Sequence, residues 1–215
     1  MSSKHLSIGI ILFILFLDQF SKIWIKSNFE LGSNIANLGL LRLDFVENPG
    51  MAFGFSFGNL FSKYLLSVFR LGAVILIGLY IKKLLRTNAH ILLIICLSLI
   101  FAGALGNILD NIFYSIIFNS GTSFHEEIGY WVGYSGISKL NFNSYASVLE
   151  GCVVDMIHLV FYWPEWAPFG LSGKEVFPPV FNIADASISI SVAIILLFYK
   201  KIVRKQDVEF KWYTK

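Results

Sequence analysis

Four long apolar runs constrain the fold of this chain more than any other feature. They cover residues 6–25, 60–81, 89–110 and 180–199. Each run is long enough to cross a bilayer as a helix, which takes about 20 residues. The sequence of 215 residues is 56% hydrophobic and only 14% charged. Soluble domains carry about 25% charged residues, so the runs predict one integral membrane domain over 1–215.

The basic residues around these runs predict the orientation of the helices. They lie before the first run, after the second and after the fourth: Lys4, Lys82, Lys83, Arg86 and the group that opens the tail 200–215. Because Lys and Arg favour the cytoplasmic side, both termini are expected there. Segments 26–59 and 118–179 are then extracytoplasmic. The net charge of +3 is small, and no nucleic-acid surface is predicted.

The extracytoplasmic segments carry signals for strands and turns. Residues 41–46 alternate between apolar and polar, which predicts a half-buried strand, and residues 47–54, which include Asn48-Pro49-Gly50, predict a turn. Segment 119–149 predicts loops and short strands, and segment 161–179 predicts an interfacial stretch because it carries tryptophans and prolines. The fold class is therefore a membrane all-α protein with an added β element.

Polar residues within the apolar runs are the candidates for function. Asp185 lies near the start of the fourth run, where a carboxylate costs about 2.5–3.5 kcal/mol. Asp18 and Lys22 are four residues apart and can pair on one helix face. The structural alternatives are a polar anchor, a structural ion pair and helix packing through small residues. In the predicted orientation, however, nearly all of these residues lie in one outer layer, together with Asp155, and this favours a site.

Asp155 and Asp185 are the residues best suited to catalysis. If they lie close together, they share a proton, so that one acts as a base on water and the other as an acid towards a carbonyl. The histidines lack metal-binding spacing, so neither a metal nor a cofactor is predicted. One rival is a small proton-coupled transporter that uses the same two carboxylates, and another is a non-catalytic scaffold. A transporter more often shows internal repeats, and the sequence contains none.

Five short motifs occur in order along most of the chain, and together they resemble those of the lipoprotein signal peptidases, the type II signal peptidases. The motifs are Asp18-Gln19-x-x-Lys22, Asn48-Pro49-Gly50-x-Ala52-Phe53, Gly103-x-x-Gly106-Asn107-x-x-Asp110, Val153-Val154-Asp155 and Phe181-Asn182-x-Ala184-Asp185.

The resemblance implies an aspartic endopeptidase of the bacterial inner membrane, with four transmembrane helices and an extracytoplasmic β-cradle. Such an enzyme removes the signal peptide from diacylglyceryl-modified prolipoproteins, just before the lipidated cysteine, and has its active site near the extracytoplasmic face. The implied partners are prolipoproteins, membrane lipids and cyclic peptide inhibitors such as globomycin, and no cofactor is implied.

The resemblance also assigns roles to matched positions. Asp155 and Asp185 correspond to the catalytic pair. The positions expected to bind substrate are Asn48, Gly50, Asn107, Asn182 and Ala184. The positions expected to be structural are Asp18, Lys22, Gly103, Gly106 and Asp110. The chain departs from the family in having Asn111 where an arginine is usual, and in a long insertion, 119–149, that extends the cradle or covers the site.

Overall fold

The structure is a computed structural model that describes residues 2–50, 59–87 and 89–204. Within these ranges, four helices are long and apolar enough to cross a membrane, as the sequence predicted. They are α1 (Ser3–Asn28), α2 (Leu60–Arg86), α3 (Ile91–Ile117) and α4 (Ile183–Ile202). The strands are β1 (Asn34–Asn37), β2 (Leu41–Asn48), β3 (Ser123–His125), β4 (Tyr130–Val132) and β5 (Val153–Leu159).

The helices differ from the apolar runs mainly at their ends. α1 and α3 continue beyond residues 25 and 110, where the predicted spans ended, because backbone hydrogen bonding carries on into less apolar sequence. α4 begins at Ile183 instead of residue 180. The reason is that Phe181 pairs with β5: its N–H donates to the Ile157 carbonyl at 2.9 Å and its carbonyl accepts from the Ile157 N–H at 2.7 Å.

The strands form two small antiparallel sheets. One sheet has the order β1-β2-β5, and the other is the hairpin of β3 and β4. The strand predicted at residues 41–46 is confirmed as β2. The pairing of β2 with β5 sets Val46 opposite Asp155 and Asn48 opposite Val153. This register brings the end of β2 beside the strand that carries one of the two candidate carboxylates.

The chain divides into two compact units, each with its own core. The first comprises Met1–Gln19, Val68–Ile108 and Ile183–Lys215, and the second comprises Phe20–Ser67 and Leu109–Asn182. The core of the first unit is a cluster of aliphatic side chains around Leu84, Leu93 and Ile94. The core of the second is built around Phe45, Tyr114, Phe118 and other apolar residues. The single domain expected from the sequence stays a prediction.

Two glycines of α3 allow very close approach within the first unit. A Cβ atom on Gly103 would lie 2.4 Å from the Ala184 carbonyl oxygen, and one on Gly106 would lie 2.6 Å from Oδ2 of Asp18. No side chain fits at such distances, so α3 can contact α4 and α1 here only through glycine. These distances agree with the packing role that the sequence suggested for this face of α3, and that role stays a prediction for both glycines.

A buried ion pair lies in the second unit. The Lys22 ammonium is 2.7 Å from Oδ2 of Asp110, and both side chains are fully buried. Asp110 is a partner of Lys22 that local spacing did not indicate, since the sequence suggested Asp18. In the first unit, Asp18 accepts a hydrogen bond from the backbone N–H of Ala184 at 3.0 Å. Both motif residues of α1 therefore fix distant parts of the chain.

We expect Gly103→Ala to destabilise the protein by about 1–3 kcal/mol, because the added methyl group overlaps a backbone oxygen that cannot move independently. Gly72→Ala is the matched control, since a Cβ at Gly72 meets nothing within 4 Å. Thermal unfolding in detergent micelles measures both variants. Equal melting temperatures for the two variants would contradict the close approach.

We expect Lys22→Met to cost about 3–5 kcal/mol, because it leaves a buried carboxylate without its cation. Lys139→Met, at an exposed lysine, should leave the melting temperature unchanged. Adding Asp110→Leu to Lys22→Met should recover part of the loss, because the unpaired charge is removed. The main effect of Lys22→Met should be on the free energy of unfolding, with a smaller effect on the rate at which each folded molecule cleaves a substrate. A stable but inactive Lys22→Met protein would contradict a structural role.

Candidate active site

Asp155 lies in β5 and is almost fully buried in the second unit. Its Oδ1 accepts a hydrogen bond from Nδ2 of Asn182 at 2.7 Å, and its Oδ2 accepts one from Nδ2 of Asn48 at 3.2 Å. Each carboxylate oxygen therefore has an amide donor. An ionised carboxylate only accepts hydrogen bonds, so two N–H donors from two different chain segments suit it.

Asn48 is held by the turn that ends β2. Its Oδ1 accepts from the backbone N–H of Gly50 at 2.9 Å, so one amide side chain both closes the turn and reaches Asp155. Gly50 has φ of +109°, a left-handed conformation that glycine adopts without strain. The turn predicted over residues 47–54 is confirmed as far as residue 50. The motif positions Ala52 and Phe53 lie outside the described residues.

Asn182 is positioned by the bridge that delays the start of α4. The preceding residue, Phe181, is hydrogen-bonded to β5 in both directions through Ile157. Nδ2 of Asn182 also lies 3.3 Å from the Val154 carbonyl, in addition to its bond to Asp155. The amide is fully buried. Its geometry is therefore fixed by β5 itself, the strand on which its carboxylate partner stands.

Asp185 lies in the first turn of α4, in the first unit. A carboxylate is favourable there because the helix N-terminus carries partial positive charge. Its Oδ1 accepts a hydrogen bond from Nδ2 of Asn107 on α3 at 2.8 Å, and Asn107 is buried. The amide predicted from the third motif thus binds the carboxylate predicted from the fifth.

Other predicted positions hold the start of α4, where Asp185 lies. Ala184 is fully buried, its N–H is bonded to Asp18, and its Cβ would lie 3.6 Å from a Cβ on Gly106. Gln19, which the sequence placed in a motif without a role, donates from Nε2 to Oδ2 of Asp18 and to the Gly106 carbonyl, both at 3.1 Å. Asp18 is thereby fixed as the acceptor for the start of α4.

The predicted residues thus form two groups, one in each unit. In the second unit, Asp155 is grouped with Asn48, Gly50 and Asn182, and in the first, Asp185 is grouped with Asn107, as described above. At the position where the family has an arginine, Nδ2 of Asn111 lies 3.5 Å from Oγ of Ser67. Among the described residues, no group of His, Cys, Asp and Glu is arranged to hold a metal ion.

Sequence reasoning missed three buried charged residues near the end of β2, namely Lys26, Glu47 and Lys63. Lys26 pairs with Glu47, which directly precedes Asn48. Nζ of Lys63 donates to the Pro49 carbonyl at 3.1 Å, directly after Asn48. The available signal was their position, because Lys26 directly follows an apolar run, Glu47 directly precedes a motif and Lys63 lies within an apolar run.

Comparison with known proteins identifies the family. A model of the signal peptidase (SPase) II family matches residues 10–201. A lipoprotein signal peptidase of Porphyromonas gingivalis is 38% identical over 201 residues, which cover 91% of this chain and 83% of the relative. One of Amoebophilus asiaticus is 32% identical over 197 residues, which cover 88% of this chain and 75% of the relative.

A solved structure agrees with these relatives. A chain described as a bacterial membrane enzyme, determined by the in meso method at 2.3 Å resolution, is 25% identical and superposes with a TM-score of 0.55. The match covers 96% of this chain and 95% of that chain. The family resemblance and the fold class predicted from the sequence are confirmed, and the transporter alternative finds no support. The chain therefore belongs to the signal peptidase II family.

Proposed function

We propose that this protein removes the signal peptide from prolipoproteins that carry a diacylglyceryl-modified cysteine, by cutting the peptide bond just before that residue. The observation that carries this proposal is the family match over residues 10–201, within which both candidate carboxylates fall on family motifs. The amide partners of both carboxylates support it further, because a hydrolytic site needs acids held in fixed orientations.

Four membrane-spanning helices and this family membership make the chain a multi-pass bacterial membrane protein. We infer that it lies in the inner membrane with both termini in the cytoplasm, as the basic residues beside the spans indicate. The active site then lies near the extracytoplasmic face. Membrane lipids surround it, and cyclic peptides such as globomycin are proposed to compete with the substrate.

In the proposed mechanism, Asp155 and Asp185 act as one pair that shares a proton. The ionised member takes a proton from water, whose oxygen attacks the scissile carbonyl carbon, while the other member protonates the carbonyl oxygen. The resulting diol then collapses: the carboxyl that took the proton from water protonates the cysteine nitrogen, and the other, now ionised, takes a proton from a diol hydroxyl. The C–N bond breaks, which leaves a new carboxyl group on the signal peptide and a free amine on the cysteine. The family match supports this pairing, because both aspartates stand in motifs that resemble those of the family.

The asparagines orient the pair. Asn48 and Asn182 each occupy one oxygen of Asp155, and Asn107 occupies one oxygen of Asp185. The two carboxylates held in this way are proposed to act on water and on the scissile carbonyl. Main-chain groups of the Asn48–Gly50 turn are proposed to bind the extended substrate peptide.

The deciding experiment incubates purified protein with a diacylglyceryl-modified prolipoprotein and identifies the products by mass spectrometry. We expect Asp155→Asn and Asp185→Asn each to abolish cleavage while the melting temperature shows a folded protein. Glu126→Gln, which neutralises an exposed carboxylate, is the matched control and should cleave normally. Cleavage that survives both aspartate changes would refute the catalytic pair.

We expect Asn182→Ala and Asn107→Ala to lower kcat by about tenfold to a hundredfold, because a hydrogen bond to a charged group contributes about 1.5–3 kcal/mol. KM should change little, since the amides hold the carboxylates and not the leaving peptide. Asn143→Ala, at an exposed asparagine, provides the control. A rise in KM at constant kcat would instead assign the amides to substrate binding.

A further inference from the structure

The insertion, residues 119–149, contacts two buried lysines, and these lysines bind the residues on either side of Asn48. We propose that the insertion positions Asn48, and through it Asp155, by fixing Lys26 and Lys63 from outside. This inference rests on the proposed function, in which Asp155 is catalytic. It gives the insertion a role as a positioning element, in place of a lid over the site.

The first lysine fixes the residue before Asn48. Lys26 on α1 forms an ion pair with Glu47, and each side chain is only 1% exposed. The insertion completes this pair from two directions. The backbone N–H of Thr122 donates to Oε2 of Glu47 at 2.7 Å, and the Tyr134 hydroxyl donates to Oε1 at 3.3 Å. Glu47 therefore has a protein donor on each oxygen, and β2 is fixed one residue before Asn48.

Aromatic rings enclose the same ammonium. Nζ of Lys26 lies 4.8 Å from the ring centre of Tyr134, 5.5 Å from that of Tyr145 and 5.0 Å from that of Phe118. Tyr134 and Tyr145 belong to the insertion, and Phe118 directly precedes it. Ring faces attract a cation more strongly when water is excluded, so these side chains stabilise a charge that burial would otherwise disfavour.

The second lysine fixes the residue after Asn48. Lys63 on α2 is 3% exposed, and its Nζ donates to the Pro49 carbonyl at 3.1 Å. The same Nζ lies 4.7 Å from the ring centre of Trp131 on β4. The insertion thus supplies an indole face to the cation that holds the turn. Asn48 lies between the two fixed points, and its side chain is the donor to Asp155.

Cys152 does not neutralise Lys63. Its sulfur lies 3.8 Å from Nζ of Lys63, but burial raises the pKa of the Cys152 thiol to about 12 although Lys63 acts in the opposite direction. The thiol is therefore uncharged at neutral pH and donates to the Thr122 carbonyl at 3.3 Å. Among the described residues, the Pro49 carbonyl and the Trp131 indole stabilise this cation.

The test compares two substitutions on one strand. Trp131→Leu removes the indole face beside Lys63, whereas Tyr130→Leu changes a neighbouring side chain that is 72% exposed. We expect Trp131→Leu to lower kcat for a diacylglyceryl-modified prolipoprotein by about tenfold or more with KM unchanged, because small displacements of catalytic groups have effects of this size. Trp131→Phe, which retains a ring face, should restore kcat to within about threefold of the wild type.

Hydrogen–deuterium exchange gives a readout that does not need activity. We expect Trp131→Leu to accelerate exchange in the peptide that contains Asn48 and Gly50, since the Gly50 N–H is bonded to the Asn48 side chain. Tyr130→Leu should leave that peptide protected. If Trp131→Leu does not fold, Tyr134→Phe serves instead, because it removes the hydroxyl bonded to Glu47 and retains the ring over Lys26; it should also lower kcat and accelerate exchange.

Equal kcat and equal exchange in the Trp131→Leu and Tyr130→Leu proteins would overturn the positioning role. So would a Trp131→Leu effect confined to KM, which would make the insertion a substrate-binding surface. Failure of the wild-type protein to cleave any diacylglyceryl-modified prolipoprotein would instead refute the proposed function. The exchange measurement separates these two failures, because it reports on the turn alone.

Discussion

The rest of this structure depends on one constraint, the burial of lysine and carboxylate side chains. A charge removed from water destabilises a fold unless a protein group replaces the lost hydration. Lys22 meets that requirement with Asp110, and Lys26 with Glu47. Asp155 accepts hydrogen bonds from two asparagine amides, and Asp18 accepts them from the Ala184 N–H and the Gln19 amide. Buried carboxylates in this chain thus have partners of two kinds, cations and N–H donors.

The same constraint explains why chain segments far apart in sequence converge on β2. The end of β2 is fixed by groups from other chain segments. Glu47 is paired with a lysine of α1 and accepts a hydrogen bond from the insertion, and the Pro49 carbonyl accepts one from a lysine of α2. In the first unit, α3 approaches α4 at Gly103 so closely that only a residue without a side chain fits. At both places the geometry is fixed, and few substitutions are tolerated as a consequence.

Local patterns in the sequence predicted the features that depend on local physics. The four spans follow from run length, β2 follows from alternation, and the turn at Asn48 follows from its residue types. The late start of α4 did not follow, because it results from pairing of Phe181 with β5. The Lys22–Asp110 pair did not follow either, since spacing along one helix identifies only partners on that helix.

The burial of these lysines could not be predicted from the sequence, for a physical reason. Lys63 lies near the start of an apolar run, where a lysine is ordinarily expected to reach water. Here it is buried, and Trp131, from an insertion with no strong periodicity, lies over its ammonium. The motif residues could be proposed from their residue types and from the family resemblance, and their roles stay predictions. The groups that hold them could not be predicted, because nothing in the sequence shows which cation an aromatic ring will contact.

We propose that the side chains at positions 155 and 185 meet to act on one water molecule. A variant that carries Asp155→Cys and Asp185→Cys, in a protein whose Cys96 and Cys152 are replaced by serine, can test this pairing. Dibromobimane, which fluoresces strongly only when it bridges two nearby thiols, is then added to the folded membrane protein. We expect a bridged adduct between residues 155 and 185, identified by peptide mass spectrometry and absent from both single-cysteine controls. Separate labelling of each thiol, with no bridged peptide, would refute the proposed pair.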